Sequence, residues 1–154
     1  MRRRSQAREL AVQFLYQLDL RGDDIADTLG EFVEGETEDK DIRDFAIRLA
    51  TGTRRTQEDT DRCLREVARN WGLNRMAVLD RNVLRMAVFE LLHCPDIPPK
   101  VTINEAIEIG KKYSTANSGA FINGILDRVR LDLIEKQPDQ ISDSGETQSL
   151  SQDS

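Results

Sequence analysis

Apolar residues recur along this chain at helical spacing, and one stretch is apolar nearly all round. From Met76 to Leu92, the residues Val78, Leu79, Val83, Leu84, Met86, Ala87, Val88, Phe89, Leu91 and Leu92 leave almost no polar face. A helix of that kind must be buried by other helices. Asp80, Arg81, Arg85 and Glu90 interrupt its 17 residues, which makes it too polar and too short for a membrane span. The pattern therefore predicts a central core helix.

Upstream, Ala7, Leu10, Ala11, Phe14, Leu15 and Leu18 form the stripe of an amphipathic first helix closed by Gly22, with Val12 and Tyr16 on its opposite face. A short second helix fits Ile25, Leu29, Phe32 and Val33, and the acidic run Glu34 to Asp39 reads as the loop after it. Ile42, Phe45, Ala46, Leu49, Gly52, Thr56, Cys63, Leu64 and Val67 keep a helical period over roughly 30 residues. They predict one long third helix with Gly52 as a close-contact or bending point. Asn70, Trp71, Gly72 and Leu73 break the pattern and mark a boundary between two halves.

The run Cys94-Pro95-Asp96-Ile97-Pro98-Pro99 ends the central helix, because prolines cannot continue it. Val101, Ile103, Ala106, Ile107 and Gly110 are the buried stripe of the next helix, which starts either at Pro99 or at a capping box formed by Thr102 and Glu105. Glu108 can pair there with Lys111 or Lys112. Tyr113 to Gly119 reads as a polar turn, and Phe121, Ile122, Ile125, Leu126, Val129, Leu133 and Ile134 define a last helix. No strand pattern, internal repeat or glycine-rich phosphate loop competes. The expected fold is all-α, about six to seven helices in two small antiparallel bundles: an N-terminal subdomain over about 1–70, a C-terminal subdomain over about 75–136, and a disordered acidic tail over 137–154.

Charge changes this picture through its distribution. The net charge of −6 argues against nucleic acid, yet Asp139, Asp143, Glu146 and Asp153 in the tail supply four of those six charges, and the tail has no Lys or Arg. Arg2, Arg3, Arg4 and Arg8 cluster at the N-terminus, whereas Asp19 to Asp44 holds eleven acids against Arg21, Lys40 and Arg43. An acidic protein can thus present a local basic patch. Cations at a helix N-terminus oppose the macrodipole, so helix energetics does not explain the arginines. They are either a solvated, frayed arm or a phosphate-binding arm.

Candidate catalytic chemistry is thin. Cys63 and Cys94 lie far apart, and His93 beside Cys94 does not complete a zinc site, so the expectation is two idle thiols in a reducing compartment and no metal. Met1 and three arginines lead straight into Ser5, Gln6 and Ala7 without an apolar signal segment, which implies a cytoplasmic location. Catalysis would rest on carboxylates such as Asp80, Glu105 or Glu108, but Asp80 suits the helix dipole and Glu105 suits a cap. No enzyme, no cofactor and no catalytic residue is expected.

The run Asp80-Arg81-Asn82-Val83-Leu84-Arg85-Met86-Ala87-Val88-Phe89-Glu90-Leu91 is followed by Ile97-Pro98-Pro99-Lys100-Val101-Thr102-Ile103-Asn104-Glu105-Ala106-Ile107-Glu108-Ile109 and by Phe121-Ile122-Asn123-Gly124-Ile125-Leu126-Asp127. With Arg2-Arg3-Arg4 and Arg8-Glu9-Leu10-Ala11-Val12-Gln13, these resemble the NusB family of bacterial transcription antitermination factors, in the family's order and over residues 2 to about 130. The resemblance implies a two-subdomain helical protein that binds boxA RNA of ribosomal RNA leaders. It acts with NusE, a small-subunit ribosomal protein, and with the other Nus factors helps RNA polymerase read through terminators. It further implies that Arg2, Arg3, Arg4 and Arg8 contact RNA phosphates, and that Lys112, Tyr113, Asn117, Ser118, Phe121 and Asn123 continue the RNA surface, with core packing the alternative for Phe121. Relatives often carry an acid where Asn117 stands, and the neutral amide removes a repulsion toward RNA. Tyr16 and Asp80 match the NusE-contacting surface, and Arg85 is counted with them as an ion-pair partner nearby. A helical adaptor that binds protein only is the competing reading, as is a carboxylate-using hydrolase or transferase. A remnant RNA-binding module is a third, because the same helical domain begins some RNA cytosine methyltransferases, whose catalytic domain this chain lacks.

Overall fold

Helix boundaries follow local chemistry closely. The structure, a computed structural model, describes residues 2–69 and 71–136, with only the backbone described at Arg2 and at 134–136. Among the described residues there are seven α-helices and no strand: α1 (Arg2–Arg21), α2 (Leu29–Glu36), α3 (Lys40–Arg55), α4 (Gln57–Val67), α5 (Val78–His93), α6 (Pro99–Tyr113) and α7 (Ser118–Lys136). Two 3-10 turns, Asp23–Thr28 and Leu73–Arg75, complete them. The all-α expectation holds. The expected tail, 137–154, and the side chain of Arg2 lie outside the described residues.

Gly22 stops α1 with φ of 85°, a left-handed conformation that glycine adopts without strain, and its N–H donates to Leu18 O at 2.7 Å. The Asp39 carboxylate caps α3 by accepting from the N–H groups of Asp41 and Ile42. Pro99 opens α6, so of the two expected starts the structure adopts the proline one. The capping box does not form, because the Thr102 hydroxyl donates instead to Glu90 Oε1 at 2.8 Å.

The long third helix is two helices. Thr56 departs from helical geometry at φ −105° and ψ 19°, and its hydroxyl donates to Gly52 O at 2.7 Å, which ends α3. The chain thereby redirects α4 onto α5 and α7, where Leu64 is fully buried. One continuous helix would have carried Leu64 away from that core. Gly52 is a close contact as expected: a Cβ there would collide with the Phe89 ring.

Helix α5 is the shared centre. On one side α1 and α3 pack on it, with α2 bracing both; on the other α4, α6 and α7 do. Although α4 precedes the 3-10 turn Leu73–Arg75 and α5, it packs with the C-terminal helices. Val83, Leu84, Met86, Ala87, Val88 and Phe89 of α5 lie in one apolar cluster with residues of every other helix. Val12, expected on the exposed face of α1, is buried, because α1 is covered by α5 as well as by α3.

Polar groups on α5 are buried too; Arg85, Asn82 and Glu90 are matched, whereas Asp80 Oδ1 has no hydrogen-bond partner among the described residues. Glu90 accepts from Arg8 Nε and Nη2, both at 2.9 Å, which ties α1 to α5. Arg85 donates to Asp61 at 2.8 and 3.1 Å and lies 3.2 Å from Asp19, while Arg81 pairs with Asp19 at 2.8 Å. These carboxylates come from α4 and α1, so the pairs set how three helices register. Among the described residues no helix is long and apolar enough to cross a membrane.

Candidate nucleic-acid and partner interface

The N-terminal arginines separate in space. Arg3 is exposed but held: Nε and Nη2 donate to the two oxygens of Asp39 at 2.9 Å each, and Nη2 lies 3.2 Å from Asp41. The fork matches the carboxylate and draws the Asp39 carboxyl below the ordinary carboxylate range. Arg4, also exposed, stacks its guanidinium 4.2 Å over the Phe45 ring, a cation–π contact that leaves its edge donors outward. Arg48 stands at the same ring, 5.9 Å from its centroid, and forks onto Asp96 at 2.9 and 3.2 Å. Arg3, Arg4, Asp41, Asp44, Phe45 and Arg48 line one open groove of about 500 Å³.

Arg8 is not part of that groove. It is 2% exposed, locked onto Glu90, with Glu105 Oε1 3.6 Å from Nη1. The expectation that it presents phosphate-binding donors with its neighbours is corrected: one helical turn beyond Arg4, α1 has entered the core, and the guanidinium serves as a buried cross-link between helices.

A second surface runs from α1 to the end of α6. Tyr16, on the exposed side of α1, shares an open groove of about 500 Å³ with Glu9, Gln13, Val78, Leu79 and Tyr113. The Tyr113 hydroxyl donates to Glu9 Oε1 at 2.7 Å, and that bond, with partial burial, raises the phenol above its ordinary value. Lys112 reaches both oxygens of Glu9 at 3.3 Å. Residues expected on separate RNA and NusE surfaces, Tyr113 and Tyr16, thus border one groove.

Asp80 lies in the first turn of α5 at 7% exposure, and its Oδ2 accepts from Ser118 Oγ at 3.1 Å. Arg85 is not its partner, being engaged with Asp61 and Asp19 instead. Ser118 is buried, with its hydroxyl also accepting from the Thr115 N–H at 3.1 Å, so it organises the start of α7 from inside. Asn117 and Asn123 are exposed on either side of it, and Phe121 is half-buried.

Residues 5–130 match the model of the NusB family. The chain belongs to the NusB family. It is 49% identical to the transcription antitermination protein NusB of Anaeromyxobacter dehalogenans over 128 residues, 82% of this chain and 89% of that one. The NusB of Pelotomaculum thermopropionicum is 45% identical over 126 residues, 82% of this chain and 88% of that one. Among solved structures, T. maritima NusB superposes with a TM-score of 0.73 at 43% identity, covering 82% of this chain and 89% of that one. A chain of the crystal structure of antitermination factors NusB and NusE in complex with double-stranded RNA superposes with a TM-score of 0.76 at 30% identity, covering 84% and 96%.

Within this NusB-family fold, three residues that sequence reasoning did not assign to the surface prove to shape it. Asp39 and Asp41 occupy Arg3, and Phe45 carries Arg4. All three lie more than 30 positions from the arm, so local spacing holds no trace of the contact. A fourth, Trp71, meets Phe121 with ring centroids 6.4 Å apart at 65°. Its signal was present in the sequence as the chain's one tryptophan set in a break between helices.

Proposed function

We propose that this protein is an RNA-binding transcription antitermination factor. It binds boxA RNA of ribosomal RNA leaders together with NusE and, within the RNA polymerase antitermination complex and its other Nus factors, supports read-through. The observation that carries this reading is the likeness, over most of both chains, to a chain of the complex whose components are NusB, NusE and double-stranded RNA. The reading assigns the protein a binding role without catalysis, in the cytoplasm, where transcripts emerge.

On this chain the phosphate contacts fall to Arg3 and Arg4, with Arg2 beside them, and to Lys112. Guanidinium forks suit phosphate oxygens, and each phosphate neutralised on a single strand contributes roughly −0.7 to the salt slope. Ser118 acts at one remove, by holding the turn that displays Asn117 between Tyr113 at the end of α6 and Asn123 in α7, whereas Arg8 serves the fold by tying α1 to α5. Tyr16 carries the NusE contact, as an exposed tyrosine brings apolar area and a polar tip to an interface. Asp80, being buried, supports that surface from beneath.

The test is fluorescence anisotropy of a labelled boxA RNA titrated with this protein, with and without NusE, at two salt concentrations. Binding strengthened by NusE and weakened by salt is expected. A Tyr16→Ala variant is expected to lose the enhancement by NusE but keep its own RNA affinity. No binding even with NusE would leave a protein-only helical adaptor as the better account.

A further inference from the structure

Trp71 is exposed where the fold gives it no reason to be. It sits in the loop between α4 and α5, with its N–H donating to Ala68 O at 2.9 Å. Leu73 and Met76 from the same loop are buried and anchor it to the core, yet the indole remains 48% exposed. Leaving so large an apolar ring in water forgoes much of what burial offers. Its one ring partner, among the described residues, is Phe121 in the first turn of α7, which meets it edge-on and fixes the orientation of the indole.

The two chain segments that carry this pair differ from the rest of the sequence in charge. The chain has 28 acids in 154 residues, but none between Val67 and Leu79 or between Ile109 and Leu126, stretches of 13 and 18 residues. The contact of Trp71 with Phe121 brings these two acid-free stretches together. They carry Arg69, Arg75, Lys111 and Lys112, all exposed, and the exposed amides of Asn74, Asn117 and Asn123. A flat aromatic surface carried with Arg69, Arg75, Lys111 and Lys112, the two lysines held by Glu108 and Glu9 from outside these stretches, suits a polyanion with its own aromatic rings.

We propose that Trp71, oriented by Phe121, is a stacking platform for one unpaired base of the bound RNA. This rests on the RNA-binding reading above and adds a residue to it. A base in an A-form duplex is already stacked on its neighbours, so the ligand of this site is single-stranded. Stacking reads no base edge, so Trp71 contributes affinity, and the amides at 117 and 123 are placed to add preference. Phe121 is a positioning residue, acting through the indole.

The single tryptophan makes the test direct, because intrinsic tryptophan emission reports this position alone. The full chain is titrated with a single-stranded boxA oligonucleotide while tryptophan emission is followed, in parallel with anisotropy of the labelled RNA. Saturable quenching with the same midpoint as the anisotropy is expected. Trp71→Ala is expected to weaken binding by about tenfold and Trp71→Phe by much less, with the salt slope unchanged because stacking releases no counterions. If anisotropy shows RNA binding while emission does not change and Trp71→Ala binds as tightly as the native protein, the platform is refuted and the RNA-binding reading stands. If Trp71→Ala weakens binding but RNA leaves the native emission unchanged, the residue acts through the fold and the proposal also fails. Emission that responds to NusE alone and not to RNA would assign Trp71 to the protein partner instead. No RNA binding by anisotropy, with NusE present, would overturn the functional reading and this proposal with it.

Discussion

Arg8 offers the sharpest separation between a surface and a core role for an arginine. Its guanidinium is 2% exposed and Glu90 is 1% exposed, with two hydrogen bonds of 2.9 Å between them and a third to Glu90 from Thr102 at 2.8 Å. Removing one member of a buried, hydrogen-bonded pair strands the other charge and costs about 3–5 kcal/mol. In Glu90→Gln, Glu105 still stands 3.6 Å from Arg8, which places the loss near the lower end, about 3 kcal/mol. In Arg8→Met the Glu90 carboxylate keeps only the Thr102 hydroxyl, so the loss should be about 4 kcal/mol. The double variant Arg8→Met/Glu90→Leu strands neither charge of the pair and should be more stable than either single variant. Urea unfolding followed by helical circular dichroism measures all four proteins. With a slope of about 2 kcal/mol per molar, Glu90→Gln should lower the midpoint by about 1.5 M. The double variant should keep its RNA affinity wherever it is folded, since Arg8 does not reach the surface. A single variant unfolding within roughly 0.3 M of the native midpoint would refute the buried-pair argument. A folded double variant that lost RNA binding tenfold would return Arg8 to the RNA.

Four other outcomes follow from the same geometry. Asp41→Asn combined with Asp39→Asn, which preserves the α3 cap, frees Arg3 and should raise RNA affinity by up to about fivefold, the scale of an exposed ion pair; unchanged or weaker binding would show that Arg3 does not meet phosphate. Asn117→Asp adds a negative charge to the exposed turn before α7 and should weaken RNA binding at low salt, an effect absent if that turn lies off the RNA. The Tyr113 phenol is raised in the folded state, so its contribution to stability is complete below the ordinary tyrosine range near about 10 and is lost as pH climbs through the raised value. With Tyr16→Phe leaving Tyr113 as the one tyrosine, phenolate absorbance should show it ionising late, and Glu9→Ala should bring it back; ionisation of Tyr113 in the ordinary range before the Glu9 substitution would contradict the Glu9 bond. Gly52→Ala gains about 1 kcal/mol in helix propensity but drives a methyl into the buried Phe89 ring, for a net loss of about 1 kcal/mol, and thermal denaturation showing stabilisation would mean that the ring moves aside freely.

The helices were legible because their signals are local. The stripe of Ala7, Leu10, Ala11, Phe14, Leu15 and Leu18 is buried as its spacing required, and Gly22, Asp39 and Pro99 mark helix ends for reasons that reside in a few neighbouring atoms. The same locality explains the failure at Thr56. Apolar period continues through it, and only the destination of Leu64, against α5 and α7, distinguishes a turn from a continuing helix. The candidate site was legible to a lesser degree. Residue type marked Arg3, Arg4 and Tyr16 as chemistry in need of a role, and the likeness to a known family supplied one and added Asn117 and Phe121.

What tertiary structure alone decided is which of these groups is free. Arg3, Arg4 and Arg8 are chemically identical and nearly adjacent, yet one is forked onto Asp39, one lies on Phe45 and one is sealed against Glu90, 82 positions away. Asp80 and Arg85 share one helix and do not pair, because α4 and α1 bring Asp61 and Asp19 closer to the arginine. Trp71 and Phe121 become a pair only when α7 docks beside the loop after α4. Hydrophobic period is written into spacings of three and four residues, which a single helix can satisfy by itself. Charge partnership depends on how helices cross, and that is settled by the packing of the whole core.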